Sequence, residues 1–384
     1  MQLLVPTNWD PDLIVPLSKL EADVQIYGVL PSSMIGSGGT GPDNVRMVAN
    51  EVEEYIEQAN SAGLKFDYLL NAPSMSNMEW DENTHQELLM HLDWITNVGA
   101  DSVTVTIPYL VELIKRQFPQ LKVRVSTIAH INSVARAKFF ESLGADSITL
   151  DINVNRSFGA LKAIRNTVGC ELTVLTNNLC LYQCPYEYYH HDGLGHASQN
   201  YNPHKGSYVD YCVLRCTLDR LRDVSQVIKC RWVRPEDIHI YEEIGIDTFK
   251  ISGRAMPTER ILRAATAYSS RHYQGNLYDI LNVITPRTGS VSFTSTGEQS
   301  NGVGSPPGFY IDNQGPEGFT DFFRKQSCAS GCSHCDYCQR IADRVIQFDR
   351  DEVDQYIAAL NHSLDNLSSS RIFGAKAGAR KRLR

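Results

Sequence analysis

Three phrases in the sequence share one grammar: NVGADSVTV (97–105), SLGADSITL (142–150) and EIGIDTFKI (243–251). In each, a helix-like stretch ends on a glycine, an aspartate follows the turn, and a β-branched run begins. Glycine accepts the left-handed conformation that caps a helix, so these are helix-to-strand joints. The strand-like runs are VQIYGVL (24–30), FDYLLNA (66–72), SVTVTIP (102–108), KVRVSTI (122–128), SITLDIN (147–153), ELTVLTN (171–177), RWVRP (231–235) and TFKISGR (248–254). Most are nearly continuous in apolar character, the mark of parallel strands covered on both faces. Between them lie amphipathic patterns, with Val45, Val48, Val52, Ile56 and Ala59 on one stripe and Leu88, Leu92 and Ile95 on another. Eight right-handed β-α steps predict an α/β fold of the (β/α)8 TIM-barrel type; a doubly wound open sheet is the alternative.

The chain of 384 residues is long enough for such a barrel with an appendage. The expected organisation is a barrel over 1–275 with a long Cys- and His-rich loop at 180–216. A C-terminal extension over 276–365 carries a cysteine run at 328–338, and a basic, disordered tail occupies 366–384. A net charge of -8 argues against a protein built to coat nucleic acid. The N-terminus has no secretory pattern and no apolar run is long enough to span a bilayer, so a cytoplasmic location is expected. Ten cysteines in that compartment point to metal or redox chemistry before disulfides.

Cys180, Cys184, Cys212 and Cys216 form two C-x3-C pairs, separated by about thirty residues of a Tyr- and His-rich loop; an ordered loop of that length is usually functional. Zinc knuckles favour C-x2-C, whereas four thiolates also fit a [4Fe–4S] cluster. Four reduced core thiols are the bland alternative. The run CASGCSHCDYC places Cys328, Cys332, Cys335 and Cys338 at successive short spacings, which suit a second iron–sulfur cluster better than a single zinc ion. Its first three cysteines match the spacing of radical S-adenosylmethionine enzymes, but those carry the motif after the first strand. His334 inside the run is expected to be a bystander. Cys170 and Cys230 remain as inert thiols, although Cys230 lies close enough in sequence to substitute as a ligand.

In a barrel the chemistry sits at the C-terminal ends of the strands. There the sequence offers the Gly-rich stretch PSSMIGSGGTGPDN (31–44), expected to be a flexible lid, then Asn71, Asp151, Asn153 and Cys180. Arg234, Lys250 and Arg254 are candidates for clasping a carboxylate or phosphate, the alternative being ion pairs with Asp151, Glu236 or Asp237. His190 or His196 is a candidate general acid or base, against a solvated or capping role; His191 and His204 lie in the same loop. Neither G-x-S-x-G nor HExxH is present, which weakens a hydrolytic reading.

Several stretches together resemble the collagenase-like peptidase family U32. They are VSTIAHINSVARAKFFESLGADSITL, TNNLCLYQCPY, DYCVLRC and RPEDIHIYEEIGIDTFKISGR, the last ending on Lys250, Ile251, Gly253 and Arg254. PPGFYIDNQGPEGFTDFF and the final cysteine run resemble one branch of the family. The resemblance implies a TIM-like barrel with a [4Fe–4S] cluster on Cys180, Cys184, Cys212 and Cys216. It also implies either proteolysis or oxygen-independent hydroxylation of quinone precursors or RNA bases, with prephenate as hydroxyl donor. The chain departs from many members at Ile128, where they have Gln, and at LDIN (150–153), where they have an Arg-Glu pair, so a different pocket is expected. The expectation is an iron–sulfur enzyme, with one cluster or two, acting on an anionic small molecule, RNA or a peptide. A peptidase, and an accessory subunit working with a second iron–sulfur barrel protein, are the alternatives.

Overall fold

The structure is a computed structural model. It describes residues 1–369 apart from 31, 40–46, 203–208, 287–289, 292–298, 301–302, 326–327 and 329–334. Eight parallel strands close into a barrel in sequence order: β1 (Gln2–Pro6), β2 (Asp23–Gly28), β3 (Lys65–Leu70), β4 (Ser102–Val105), β5 (Lys122–Val125), β6 (Ser147–Thr149), β7 (Glu171–Leu175) and β8 (Thr248–Lys250). The last pairs with the first, Gln2 beside Thr248 and Leu4 beside Lys250. The helices are α1 (Ile14–Leu17), α2 (Ala49–Ser61), α3 (Glu82–Asn97), α4 (Pro108–Gln117), α5 (Val134–Ser142), α6 (Phe158–Arg165), α7 (Glu187–Ala197), α8 (Tyr211–Arg222), α9 (Ser225–Lys229), α10 (Ile238–Glu242) and α11 (Thr258–Ser269). The barrel expectation therefore holds.

The joints behave as their grammar predicts. Gly99, Gly144 and Gly245 have φ of 83°, 100° and 83°. The joint aspartates do more than follow the turn. Asp101 Oδ2 accepts from the Phe66 amide of β3 and Asp146 Oδ2 from the Val123 amide of β5, each at 2.8 Å. These two joints thereby tie their strands to the start of the strand before them; at the third, the Asp247 carbonyl accepts from the Gln2 amide of β1 instead.

Two strand expectations are corrected. RWVRP is not a barrel strand: Arg231–Arg234 is extended, with Val233 N donating to Thr176 O, and runs into a 3-10 turn at Pro235–Asp237. The missing strand is β1, at the very start, so the predicted first strand is β2 and the Cys180 loop follows β7. The first predicted helix is also shorter: it begins at Ala49, and Val48 lies exposed before it.

The bore is not filled with aliphatic side chains at its N-terminal end. Gln25 of β2 donates to Ser102 of β4 (3.0 Å), Ser102 and Thr104 donate to Asp67 of β3 (2.7 and 2.6 Å), and Arg124 of β5 donates to Thr173 (2.6 Å) and Glu171 (2.7 Å) of β7. Arg124 also reaches Gln25 and Ser147. Strands two apart and more can meet this way only through the barrel interior. Asp67 and Arg124 are buried, so each charge depends on these partners for its solvation.

Beyond the barrel, β9 (Ser290–Val291) pairs with β10 (Gln299–Ser300), and β11 (Phe309–Ile311) with β12 (Ile346–Phe348). Helix α12 (Phe319–Lys325) and α13 (Tyr337–Val345) pack on the barrel, their Phe319, Phe323 and Ile341 joining its core, while α14 (Arg350–Ser368) packs on α8. The stretch expected as one helix over 339–360 is two. The β-branched Val345-Ile346 pair leads into β12, which pairs with β11, and Asp349 then caps α14 by accepting from Glu352 N. Because α14 continues to Ser368, residues 366–368, expected in the tail, are helical; residues 370–384 lie outside the described residues.

Replacing Arg124 by Met strands Glu171, Ser147 and Thr173 in the bore. We expect a loss of about 3 kcal/mol in denaturant unfolding. Arg116→Ala, which removes an exposed ion pair with Glu112, should cost less than ~0.5 kcal/mol. Equal midpoints for the two variants would show that the bore network adds nothing to stability.

Candidate functional site

The C-terminal mouth of the barrel is roofed. Residues 33–38, after β2, are buried and Gly39 is half-buried, which corrects the expected flexible lid for this part; residues 31 and 40–46 lie outside the described residues. Helix α7 and the turn after it hold the segment down. Ser37 N donates to Ser198 Oγ (2.8 Å), and Gln199 Nε2 donates to Ile35 O (2.9 Å) and to Ser74 O (2.6 Å). The His191 ring nitrogen Nδ1 lies 2.7 Å from Gly38 O. Gly36 has φ of +79°, and a Cβ there would stand 2.8 Å from Gly195 O, so only glycine lets the loop pass beneath α7. Below, Ser37 donates to Asn71, whose amide reaches Ser126 on the β5 side.

The three predicted cations do not form one group. Lys250, the last residue of β8, is buried with its ammonium 4.0 Å from the Tyr27 ring centre. Burial lowers its pKa to about 8. Arg254 donates from Nη2 to Ser37 Oγ and Gly39 O, both at 2.9 Å, and burial lowers its pKa. Lys250 and Arg254 both act electrostatically on Tyr27 or on each other at the mouth. Arg234 is elsewhere. It ion-pairs with Glu236 (3.5 Å) and Asp237 (3.7 Å) and reaches Asn313 and Pro316 of the C-terminal extension. Of the two roles weighed for Arg234, the geometry matches the ion pair.

The cysteines of the long loop converge. Cys180 follows β7, Cys184 precedes α7, and Cys212 and Cys216 lie one turn apart on α8. All are free thiols. Cys180 feels the charge of Cys184, Cys216 and Cys230, and Cys184 that of Cys216 and Cys212. Cys230, a leftover in the sequence, thus joins the group. Burial pushes Cys180 well above the ordinary thiol value and Cys184 and Cys230 to about 12. Arg220 lies beside them; burial alone would lower its pKa, but Cys216, Cys230 and Cys180 outweigh that and raise it. Its guanidinium is fixed on Leu179 O (2.7 Å) and Ile284 O (3.0 Å). Sequence reasoning missed Arg220, and its one available signal was a position four residues after Cys216 on the same helix face.

In the C-terminal run, Cys328 and Cys338 are half-buried against the barrel core and Cys335 is exposed. Cys332 and His334 lie outside the described residues, as does His204. Cys338, at the start of α13, feels Arg156, as does Cys230; the Arg156 guanidinium lies 4.7 Å from the Trp232 ring centre and 4.5 Å from that of Phe319, beside two rings that stack on each other at 5.7 Å.

The histidine at the strand ends is His130, which the sequence reading passed over. It sits after β5 in the left-handed region (φ 51°). Its Nδ1 is 3.8 Å from a carboxylate oxygen of Asp151, after β6, and 3.8 Å from one of Glu187, on α7. Burial pushes Glu187 up; burial would do the same to Asp151, but His130 and the Asn153 amides hold it below the usual range. His196 is engaged locally, with Gln199 (3.0 Å) and Asp192 (3.5 Å). His190 stacks on His191, and burial lowers both to about 4.

The family model for peptidase family U32 matches residues 41–276, more than half of the chain. This chain belongs to the U32 peptidase family. An uncharacterized protease of Methanocaldococcus jannaschii is 30% identical over 301 residues, covering 77% of this chain and 82% of its own. The solved structure of the U32 peptidase Mk0906 superposes with a TM-score of 0.51 at 24% identity, over 67% of this chain and 93% of that one. That likeness concerns the barrel fold. The U32 match ends where the C-terminal extension begins, so both cysteine-bearing segments of the barrel lie inside it and the run at 328–338 lies outside.

In this U32 barrel the roof itself carries a pH dependence. His190 and His191 titrate near 4 when folded and near ~6.5 when unfolded. Between those values the unfolded chain binds more protons, so their contribution is complete above about pH 6.5 and is lost as pH falls toward 4. The thermal midpoint should drop from pH 7 to pH 5, and drop less in His191→Gln. The same drop in both proteins would remove His191 from this account.

Proposed function

We propose that this U32 protein is an iron–sulfur enzyme performing an oxygen-independent hydroxylation, or a related modification, of a small molecule, an RNA base or a peptide. The observation that carries the reading is the gathering of Cys180, Cys184, Cys212, Cys216 and Cys230 beside the mouth. As bare thiols in this pocket they are uncharged and inert. A metal centre inverts that preference, because coordination deprotonates a thiol outright. Soft thiolates suit iron–sulfur clusters, and Arg220 supplies a fixed countercharge. The donor set therefore fits a [4Fe–4S] cluster held by Cys180, Cys184, Cys212 and Cys216, with Cys230 as a neighbouring thiol. When bound, such a cluster supplies one-electron chemistry or a Lewis-acidic iron.

The chain's own residues supply the rest. Lys250 and Arg254 give the mouth a positive wall suited to a carboxylate or phosphate. Arg254 also pins the β2–α2 segment, so substrate and roof compete for or share its donors. The α7 roof limits water at the mouth, which strengthens every charge interaction beneath it. His190 and His191 are neutral at pH 7 and can only accept protons there. The proposed setting is the reducing cytoplasm, and a second iron–sulfur barrel protein is a proposed partner. Among the described residues no helix is long and apolar enough to cross a membrane.

Proteolysis has less support. Among the described residues the ring-nitrogen contacts of His130, His191 and His196 are to carboxylates, a carbonyl and an amide, and none places these imidazoles on a serine or cysteine as a nucleophile's base. We further propose a second cluster on Cys328, Cys332, Cys335 and Cys338, an electron relay or a staple for the extension.

Anaerobically purified protein should carry about eight irons if both clusters form, or about four if only the first does. Cys180→Ser, Cys184→Ser, Cys212→Ser and Cys216→Ser should each remove about four irons and the broad visible absorption. Full iron in all four variants would sink the proposal; about four irons with one zinc would make the C-terminal run a zinc site.

A further inference from the structure

We infer that His130, Asp151 and Glu187 form a binding site for one divalent first-row cation at the barrel mouth, built without cysteine. The inference holds whether or not the thiols carry iron.

The distances favour a cation over a proton. His130 Nδ1 faces both carboxylates at 3.8 Å, and the three donor atoms all lie within 4.8 Å of one another. An N–H···O bond spans about 2.7–3.2 Å, so an imidazolium bridging the pair would sit too far from both. Two metal–ligand bonds of about 2.0–2.2 Å span up to about 4.4 Å, which fits the two 3.8 Å edges from His130.

The charges point the same way. Asp151 and His130 are buried and Glu187 is nearly so. Two carboxylates side by side in that setting repel, and one imidazole does not offset both. Among the described residues no lysine or arginine ion-pairs with either carboxylate; Arg254, Lys250 and Arg231 are occupied by Ser37, Tyr27 and Tyr182.

The surrounding groups orient the donors as ligand supports do. Asp151 Oδ1 accepts from Asn153 N and Nδ2, both at 2.8 Å, and Oδ2 from Asn132 Nδ2 at 3.1 Å. The Asn153 side chain also bonds Glu187. The His130 ring lies against Tyr188 (4.4 Å) and its carbonyl is held by Arg136 at 2.6 Å. The donors come from the loop after β5, the loop after β6 and helix α7, so three separate elements converge on one point. One imidazole nitrogen and two carboxylate oxygens suit Mn²⁺, Fe²⁺ or Zn²⁺. Three protein ligands leave coordination positions open to water or to an oxygen of a substrate in the mouth.

The test uses the full chain, purified without oxygen and stripped of loose metal with a chelator. It is titrated with Mn²⁺ while the free-ion paramagnetic resonance signal is read. Manganese prefers oxygen and nitrogen donors to thiolates, so it reports this site and not the cysteines. About one Mn²⁺ per chain should bind and raise the thermal midpoint. Affinity should fall about tenfold or more in Asp151→Asn and in Glu187→Gln, and persist in Cys184→Ser. Glu187→Gln changes a helix on the roof, so it keeps the test available if Asp151→Asn does not fold. The inference is overturned if wild type binds Mn²⁺ no better than Glu187→Gln, or if Cys184→Ser loses it equally.

Discussion

The guanidinium of Arg124, sealed in the bore, is the interaction on which the rest of this barrel leans. A buried charge depends on the acceptors its donors find, and those of the two terminal Arg124 nitrogens come from β2, β6 and β7, with Asp67 drawing β3 and β4 into the same web through Ser102; Nε has no partner among the described residues. The network closes the N-terminal end of the bore with polar groups that have one satisfactory register. Slipping any of these strands by one residue would turn its polar member outward and leave the others unpaired. A fixed lower end allows the upper end to be irregular. Above it the strands give way to left-handed His130, the pinned Gly36 segment and a loop carrying its own helix.

That helix, α7, links the two chemistries of the mouth. Its N-terminal turn carries Glu187, three residues after Cys184; its middle carries His191 on Gly38; its end leads to Ser198 and Gln199, which hold the Ile35–Ser37 segment. Thiols, carboxylates and roof thus share one short element. A change in the position of α7 reaches all three at once, and Cys180 already senses the Glu187 charge. Arg156 plays a comparable part on the outer side. Its donors hold Ile228 O and Trp232 O, and its face carries Phe319 of the extension, so extension and thiol-bearing segment meet through one side chain.

What was legible in the sequence was local. The Gly-Asp joints and the amphipathic stripes act over a few residues, and they specified strands and helices well enough to name the barrel. RWVRP misled because β-like composition records burial, not pairing: Trp232 is in the core and Arg231 stacks on Tyr182 at 3.7 Å, with no ladder beside them. β1 escaped because QLLVP is five residues long and its partners lie at 23–27 and 248–250. At the site, cysteine spacing pointed to the right loop, but His130, Glu187 and Arg220 carry no motif. Their meaning arises only when three distant segments meet. The polar bore was hidden for the same reason, since Asp67 and Arg124 read as interruptions until their cross-barrel partners are known.

The pairing of β1 with β8 has a consequence for the birth of the chain. Strand order is sequential, so each new strand can add to the one before it, except that the seam joins residue 2 to residue 248. At a ribosomal speed of about 5–20 residues per second, the first strand waits on the order of 10–50 s for its second neighbour. During that wait the growing sheet has two open edges, with Leu3 and Leu4 on one of them, both fully buried once the seam closes. The most vulnerable moment of this protein therefore falls late in synthesis, when seven strands are assembled and the eighth is still inside the ribosome.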